Sequence, residues 1–206
     1  NEITDKIIFA AECVKRKVQF NLINNNSIVH YYGKTIPLVK EPQFVFTIHN
    51  SFPEINSNNL VFLVIGRFDP VKGHDYLMQS YLNAKFKDSL GNKVSTQMVF
   101  IGYKANINPQ DLYNKYLDKF GEGKCCENRY FLEHKEDKKQ LFMIEEKISN
   151  IENLLALTSF GVIPSLDSEV ICRVGVEFLQ SGVPVLSSDV GALPEVFFEF
   201  QNLIFK

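Results

Sequence analysis

Residues 59–73 read NLVFLVIGRFDPVKG, and this stretch predicts the organisation of most of the chain. Its first part, Asn59–Ile65, is short, rich in β-branched side chains and stopped by a glycine, which is typical of a strand buried in a parallel sheet. Apolar residues at helical spacing then predict a helix over Gly73–Lys85. A buried strand followed directly by an amphipathic helix is the repeating unit of α/β proteins.

The alternation of strands and helices continues to the end of the chain. Further strands are predicted over Gln97–Gly102, Arg129–Leu132, Phe160–Pro164, Val183–Ser187 and Asn202–Phe205. Helices are predicted over Pro109–Phe120, Ile148–Leu157, Val170–Gln180 and Pro194–Phe200. Strands separated by helices of this length predict an α/β fold with a doubly wound parallel sheet, Rossmann-like in its layering.

The first 54 residues differ from the rest. Strands are predicted over Lys6–Ala10 and Ser27–Tyr32, with a helix over Ala11–Phe20 between them. The polar and proline-containing segments that follow are typical of a linker. We therefore divide the chain into residues 1–54, the tail of a preceding domain with its linker, and residues 55–206, the main domain.

Composition narrows the classes of function. The net charge of −2 argues against nucleic acid as the main partner, because proteins that bind phosphate backbones usually carry an excess of basic residues. The longest apolar runs are too short to span a bilayer. Four cysteines without metal-type spacing are typical of reduced thiols, and they favour a cytoplasmic protein.

Two glutamates, Glu169 and Glu177, lie eight positions apart in the stretch SEVICRVGVE. On a helix this spacing would place the two carboxylates ~12 Å apart on roughly one side. A carboxylate just beyond a strand faces the crevice where α/β proteins bind ligands. The second carboxylate could then hold a more distant hydroxyl of the same extended ligand, and a nucleotide sugar has that shape.

Two further loops carry candidate binding residues. After the first strand, Gly66 and Gly73 flank a turn in which Arg67 and Lys72 could clamp a diphosphate, although two solvated surface cations are the alternative interpretation. Near the end of the chain, Gly191 could let backbone N–H groups approach a phosphate or sugar. A glycine needed only for the turn explains that position equally well. We interpret the four histidines as structural, with support of the phosphate site as the alternative interpretation of His74.

Three segments together resemble the C-terminal domain of family 4 retaining glycosyltransferases. GRFDPVKG, PSLDSE followed at the family spacing by Glu177, and SGVPVLSSDVGALPE agree with that family in order, spacing and strand context over Leu60–Lys206. Residues 1–50 resemble the end of the family's N-terminal domain. The resemblance implies a GT-B architecture, in which two Rossmann-like domains enclose the active site in the cleft between them.

The resemblance also implies roles for individual residues. Arg67 and Lys72, next to Gly66, would hold the donor diphosphate; Glu169 would contact the transferred sugar and Glu177 the ribose hydroxyls. Retaining members are thought to use the leaving diphosphate as the base, so the catalytic residues implied are Arg67, Lys72 and Glu169. Apart from the nucleotide-diphosphate sugar, which is a substrate, no cofactor is expected. No metal is expected either, because no Asp-x-Asp motif is present.

One position departs from the family pattern. Many members have glycine three residues after the first glutamate, whereas this chain has Cys172, followed by Arg173. The variant SEVICRV is similar to a subgroup associated with bacterial envelope polysaccharide or lipopolysaccharide assembly. Arg173 would then add a third cation near the donor phosphates, or it would pair with Glu169 or Glu177 and be structural. We interpret Cys172 as a packing residue.

The resemblance implies two partners, a nucleotide-sugar donor and a glycan or lipid-linked acceptor. The acceptor would bind through an N-terminal domain that we expect to be missing, so this chain would bind the donor without turnover. Peripheral contact with the inner face of the cell membrane is expected of the full-length protein. The alternatives are a degenerate, non-catalytic binding module, favoured by Cys172-Arg173, and a donor-hydrolysing epimerase, which the motif spacing disfavours.

Overall fold

The computed structural model describes residues 7–10, 13, 16, 27–29, 55–56, 58–146, 151–167 and 169–205. In chain order, the strands are β1 (Ile7–Phe9), β2 (Ser27–Val29), β3 (Leu60–Ile65), β4 (Thr96–Gly102), β5 (Glu122–Cys126), β6 (Arg129–His134), β7 (Lys139–Glu145), β8 (Phe160–Ile163), β9 (Val185–Ser188) and β10 (Ile204–Phe205). The α-helices are α1 (His74–Asn83), α2 (Pro109–Phe120), α3 (Ile151–Leu155), α4 (Arg173–Gln180) and α5 (Leu193–Val196). Short 3-10 turns cover Pro70–Lys72, Lys135–Asp137 and Phe198–Leu203.

Within the described residues, eight strands form one sheet in the order β10-β9-β8-β3-β4-β7-β6-β5. The strands from β10 to β7 are parallel, and α1, α3, α4 and α5 lie on the connections between them, whereas α2 leads from β4 to β5 and β6 is antiparallel to both of its neighbours. Separately, β1 and β2 pair in parallel. The predicted α/β, Rossmann-like fold is therefore confirmed, with a sheet that is mostly parallel.

The strand predicted over Arg129–Leu132 is confirmed, but its place as the next parallel strand of the sheet was wrong. That segment belongs to β6, which runs antiparallel, and the parallel neighbour of β4 is β7, for which we predicted no strand. Polar residues open β7, and Lys139 is buried with its ammonium donating to the Leu82 carbonyl oxygen. A buried lysine at a strand start removes the apolar signal on which the prediction depended.

The helix predicted over Val170–Gln180 is shorter than expected, because α4 begins at Arg173. Glu169 therefore lies in the loop between β8 and α4, and the two glutamates do not share a helix. The predicted helix over Pro194–Phe200 is divided between α5 and the 3-10 turn Phe198–Leu203. In the segment predicted as the helix Ala11–Phe20, Cys13 and Arg16 are helical; its other members lie outside the described residues.

The sheet has one apolar layer on each face. Side chains alternate along a strand, so Val61 and Leu63 of β3 face one layer, and Phe62 and Val64 face the other. Because β3 pairs with both β8 and β4, it lies at the centre of the sheet. The carboxyl ends of β3 and β8 consequently lie side by side, and the loops that follow them meet. None of the described helices has the length and apolar character needed to cross a membrane.

Candidate functional site

The loops after β3 and β8 are locked together by backbone contacts. The Leu166 N–H donates to the Val71 carbonyl oxygen at 2.8 Å. Gly73 has a φ of +68°, and a Cβ atom at this position would lie only 2.0 Å from the Pro164 carbonyl oxygen. Only glycine combines this backbone conformation with such a close approach. The conformation of one loop therefore fixes the conformation of the other.

Lys72 and Glu169 meet across these two loops. The Lys72 ammonium forms an ion pair with Oε1 of Glu169, although the two residues are 97 positions apart in the sequence. The buried hydroxyl of Ser165 donates to the same oxygen at 2.6 Å. Among the described residues no donor reaches Oε2 of Glu169, so this oxygen remains available to a ligand.

The loop after β9 holds the backbone of Glu169. The Ala192 N–H donates to the Glu169 carbonyl oxygen at 2.7 Å. Gly191 has a φ of +57°, and a Cβ atom there would lie 2.2 Å from that oxygen. Ser188 at the end of β9 donates through its hydroxyl to the Ser165 carbonyl oxygen at 2.7 Å. Three loops thus converge on one carboxylate, and Gly191 is required for the approach of its loop to Glu169.

Arg67 lies at the side of the site against Asp69. Its Nε is 3.3 Å from Oδ2 of Asp69, and its side chain is 47% exposed. Asp69 is itself buried; it accepts hydrogen bonds from the Val71 N–H at 3.1 Å and from Nδ2 of Asn106 at 2.8 Å. A buried carboxylate fixed by two donors limits the directions in which Arg67 can point.

These loops enclose a cavity of about 160 Å³. Of the predicted residues, four line it: Gly66, Lys72, Glu169 and Arg173. Arg67 and Glu177 do not line it, and Glu177 is buried on α4. A larger, mostly apolar cleft of about 660 Å³ adjoins it at Cys172 and extends to Ala10 and Arg16. The structure thus brings part of the predicted set together and leaves Arg67, Glu177 and Gly191 at the margins.

Arg173 is exposed at the first turn of α4. Within the described part of the chain no ion pair links it to Glu169 or Glu177. The free N–H groups of a helix start favour anions, and the guanidinium adds to that preference. The cavity therefore carries two cations, Lys72 and Arg173, against one carboxylate, which suits a ligand with negative charge.

Two buried groups line the cavity in their neutral forms. Burial lowers the pKa of His74 to about 4; a hydrogen bond with the Asp69 backbone opposes this shift, and the charge of Lys72 adds to it. The imidazole stacks on the Phe68 ring at 4.9 Å, and within the described residues its Nδ1 has no hydrogen-bond partner. Burial also raises the pKa of the Cys172 thiol to about 12. Neither group adds charge to the site at neutral pH.

Three residues of this arrangement were given no role in the sequence analysis: Ser165, Asp69 and Asn106. Ser165 follows a strand and precedes Glu169 by four positions, and Asp69 precedes a proline, a pattern typical of a turn start. These local signals could have identified both residues. Asn106 has no local signal, because its contact with Asp69 arises only when β3 and β4 pair.

The model of the family Glycosyl transferases group 1 matches residues 46–206. No curated protein matches the sequence.

Solved structures share the fold at low sequence identity. Anabaena HepE in complex with UDP-glucose is 17% identical with a TM-score of 0.62, over 95% of this chain and 48% of HepE. For a glycosyltransferase from Rickettsia africae the identity is 18% and the TM-score 0.62, over 93% and 46% of the two chains. For WaaG, a glycosyltransferase involved in lipopolysaccharide biosynthesis, the values are 13% and 0.62, over 97% and 48%. The chain thus spans about half the length of these structures.

Proposed function

The chain belongs to the group 1 glycosyl transferases, and from this premise we propose that its cavity between the β3 and β8 loops holds the diphosphate and sugar end of a nucleotide-sugar donor. The contact between Lys72 and Glu169 carries the proposal. A nucleotide sugar joins a charged diphosphate to a neutral sugar rich in hydroxyls. A cation beside a carboxylate with one free oxygen offers a partner to each part.

We assign the roles from the position of each residue except Glu177, which is buried on α4 outside the cavity lining and whose role comes from the family resemblance alone. Lys72 and Arg173 in the cavity, with Arg67 at its side, bind the diphosphate oxygens. Oε2 of Glu169 accepts a hydroxyl of the transferred sugar, and Glu177 binds the ribose hydroxyls. Apart from its chain neighbours, no described residue has an atom within 4 Å of where a Cβ atom of Gly66 would lie, so the backbone there leaves room for the ligand.

Catalysis then depends on the stabilisation of the leaving diphosphate by the positively charged side chains. When the sugar leaves, negative charge grows on the diphosphate, and fixed positive groups stabilise that charge more strongly in the transition state than in the ground state. Lys72 is held by loops that are locked to each other, so little reorganisation accompanies the reaction. The leaving diphosphate accepts the acceptor proton, and transfer proceeds with retention and without a metal or cofactor.

The acceptor is a partner that we propose for the whole protein and not for this chain alone. We propose an envelope polysaccharide or a lipid-linked glycan, reached from the cytoplasmic side of the membrane. The SEVICRV variant and the likeness in fold to WaaG support this choice. This chain alone binds the donor and does not complete the transfer.

Isothermal titration of the chain with uridine, guanosine and adenosine diphosphates tests the proposal. We expect heat of binding with at least one of them. Lys72→Ala should weaken that binding about tenfold or more, since a hydrogen bond to a charged group is worth roughly 1.5–3 kcal/mol. Lys119→Ala, which removes an exposed cation on α2, is the matched control. No heat with any diphosphate, or equal losses in the two variants, would contradict the proposal.

A further inference from the structure

The segment between α1 and β4 forms a rigid hairpin-like loop. Lys87 and Lys93 form an antiparallel bridge, and the Val94 N–H donates to the Phe86 carbonyl oxygen at 3.1 Å. At the tip, Oδ1 of Asp88 accepts the N–H groups of Leu90 and Asn92 at 2.9 and 2.8 Å. Gly91 closes the turn with a φ of +85°.

This tip presents a leucine to solvent. The side chain of Leu90 is 84% exposed, more than any other large apolar side chain in the described part of the chain. The hydrogen bonds to Asp88 fix the backbone around Leu90, so the conformation of the loop keeps the Leu90 side chain exposed to solvent. A single exposed leucine is ordinary, but this one is fixed at the tip of a loop between lysines, and an apolar side chain beside cations is the combination by which interfacial segments bind anionic membranes.

Beside the loop lies a cavity of about 280 Å³, which we call the lysine cavity. Four lysines line it, Lys85, Lys87, Lys93 and Lys139, with Asp137 as the acidic residue among its lining. Lys139 is only 2% exposed, and its ammonium donates to the Leu82 carbonyl oxygen. Lys93 pairs with Asp137 at 2.9 Å. Two ammonium groups, those of Lys85 and Lys87, thus have no ion pair among the described residues.

Repulsion between the lysines of this loop destabilises the protein when no anion is bound. Lysines that face each other across a pair of strands repel, and Lys87 and Lys93 are such a pair. The loop 84–95 and the turn 134–139 together hold six lysines against three acidic residues, in a chain whose net charge is −2. Positive charge is therefore concentrated at this edge of a protein that is otherwise acidic, and an anion would relieve the repulsion.

We propose that this edge is a docking surface for a membrane that contains anionic phospholipids. The lysine cavity receives a lipid phosphate, Lys85 and Lys87 face the neighbouring headgroups, and Leu90 enters the interface. A free phosphate ion would balance the positive charge of the lysine cavity, but its binding would not involve Leu90. The combination of cationic cavity and presented leucine therefore favours a lipid surface.

The position of the surface agrees with an enzyme that works while docked. The loop lies at the amino end of β4, and Lys139 opens β7, whereas the donor cavity lies at the carboxyl ends of the strands. A strand of six residues spans about 20 Å. Docking at one edge therefore leaves the opposite edge open to solvent and ligands.

Flotation of the purified chain with vesicles tests the proposal. We expect binding to phosphatidylcholine vesicles that contain phosphatidylglycerol and no binding to phosphatidylcholine alone. The double variant Lys85→Glu, Lys87→Glu should bind at least about tenfold more weakly. The control Lys119→Glu, Lys124→Glu makes the same change of net charge elsewhere and should keep most of the binding. Leu90→Ser should weaken binding about fivefold or more.

The outcomes separate the possible ligands. Equal losses in the two double variants would show attraction by net charge alone and would overturn the proposal. Unchanged binding by Leu90→Ser, together with release by inorganic phosphate at constant ionic strength, would overturn it in favour of a small-anion site. Binding to neutral vesicles would overturn it as well. All substituted side chains are exposed, so thermal unfolding of each variant should match the wild-type curve.

Discussion

Glu169 shows how a single side chain can depend on three separate loops. Ser165 and Lys72 bind one oxygen of its carboxylate, and Ala192 binds its backbone carbonyl. The other carboxylate oxygen is therefore presented in a fixed direction. Fixing a group in advance reduces the entropy that a ligand must remove on binding.

Ser165→Ala should weaken binding of a sugar nucleotide about tenfold, because it removes a hydrogen bond to a charged acceptor. Binding of the matching nucleoside diphosphate, which lacks the sugar, should change much less. Ser165→Thr should restore the difference, since it keeps the hydroxyl. The control is Ser187→Ala, whose buried hydroxyl contacts the Ser188 carbonyl oxygen instead. Titration calorimetry measures all four proteins, and equal losses with both ligands would refute a positioning role for Ser165.

His74 should make the stability of the chain depend on pH. Its folded-state pKa of about 4 lies below the ordinary value of 6.5, so between these values the unfolded chain binds a proton that the folded chain does not. The contribution of neutral His74 is therefore complete above pH 6.5 and is lost as the pH falls towards 4. Over that window the free energy of unfolding should fall by about 3 kcal/mol from this residue.

His74→Phe keeps an aromatic ring against Phe68 and removes the titrating group. Urea unfolding at a series of pH values should show that the variant loses less stability than the wild type between pH 6.5 and 4. Parallel curves for the two proteins would contradict the assignment. At neutral pH the two proteins should differ little in stability, because the variant removes a buried nitrogen that has no partner among the described residues but also removes the hydrogen bond of the imidazole with the Asp69 backbone.

At the level of elements, the sequence predicted some strands of the sheet better than others. The sequence predicted the central strands well, since β3, β4 and β8 are apolar runs with clear ends. It did not predict β5 or β7, because β5 is mostly exposed and β7 begins with a buried lysine. Local patterns indicate which residues are apolar, but they do not show which neighbouring strand will cover a polar one.

The sequence predicted only part of the candidate site, because local patterns do not show which distant segments come into contact. Lys72 and Glu169 were identified by sequence, and the structure places them in contact. Asp69 behind Arg67 was not, since its partner Asn106 follows a different strand. The start of α4 was also displaced, because Cys172 has a φ of −84° and a ψ of 72°, outside the helical range. Contacts between loops depend on strand order, which a single sequence does not state.

Two glycines with left-handed backbones allow the β9 loop to be tested. Gly182→Ala should cost about 1–2 kcal/mol, since a Cβ there meets no atom within 4 Å and only the backbone conformation is unfavourable. Gly191→Ala should cost about 3 kcal/mol or more, because its Cβ would also collide with the Glu169 backbone. It should abolish sugar-nucleotide binding, whereas Gly182→Ala should retain it. Urea unfolding and calorimetry compare the pair, and equal costs would contradict the structure.

For the whole molecule, the two apolar layers define the unit that folds. Within the described residues, both layers consist only of residues from Ile55 onward. The amino-terminal segment reaches this unit through the Cys13 N–H, which donates to Oε1 of Glu195 at 2.7 Å. It also lines the larger cleft at Ala10 and Arg16. The described residues of the amino-terminal segment thus contribute to the lining of the cleft and belong to neither apolar layer.

A chain of residues 55–206 should therefore fold without the amino-terminal segment. Its urea unfolding should be cooperative, with a midpoint close to that of the full chain, because every buried apolar residue that the structure describes in the two layers is kept. Diphosphate binding should persist, since the lining of the smaller cavity is complete within this range. An unfolded or aggregated product would show that the division after residue 54 is wrong.

The close approach of Gly73 to Pro164 has a consequence for engineering. A chimera that takes the turn after β3 from one relative and the turn after β8 from another joins two surfaces that were not matched, and any side chain in the place of Gly73 would collide with the Pro164 carbonyl oxygen. The two turns must be transplanted together, as one cassette. Attempts to alter donor preference by recombination should therefore place their crossover points outside residues 66–166.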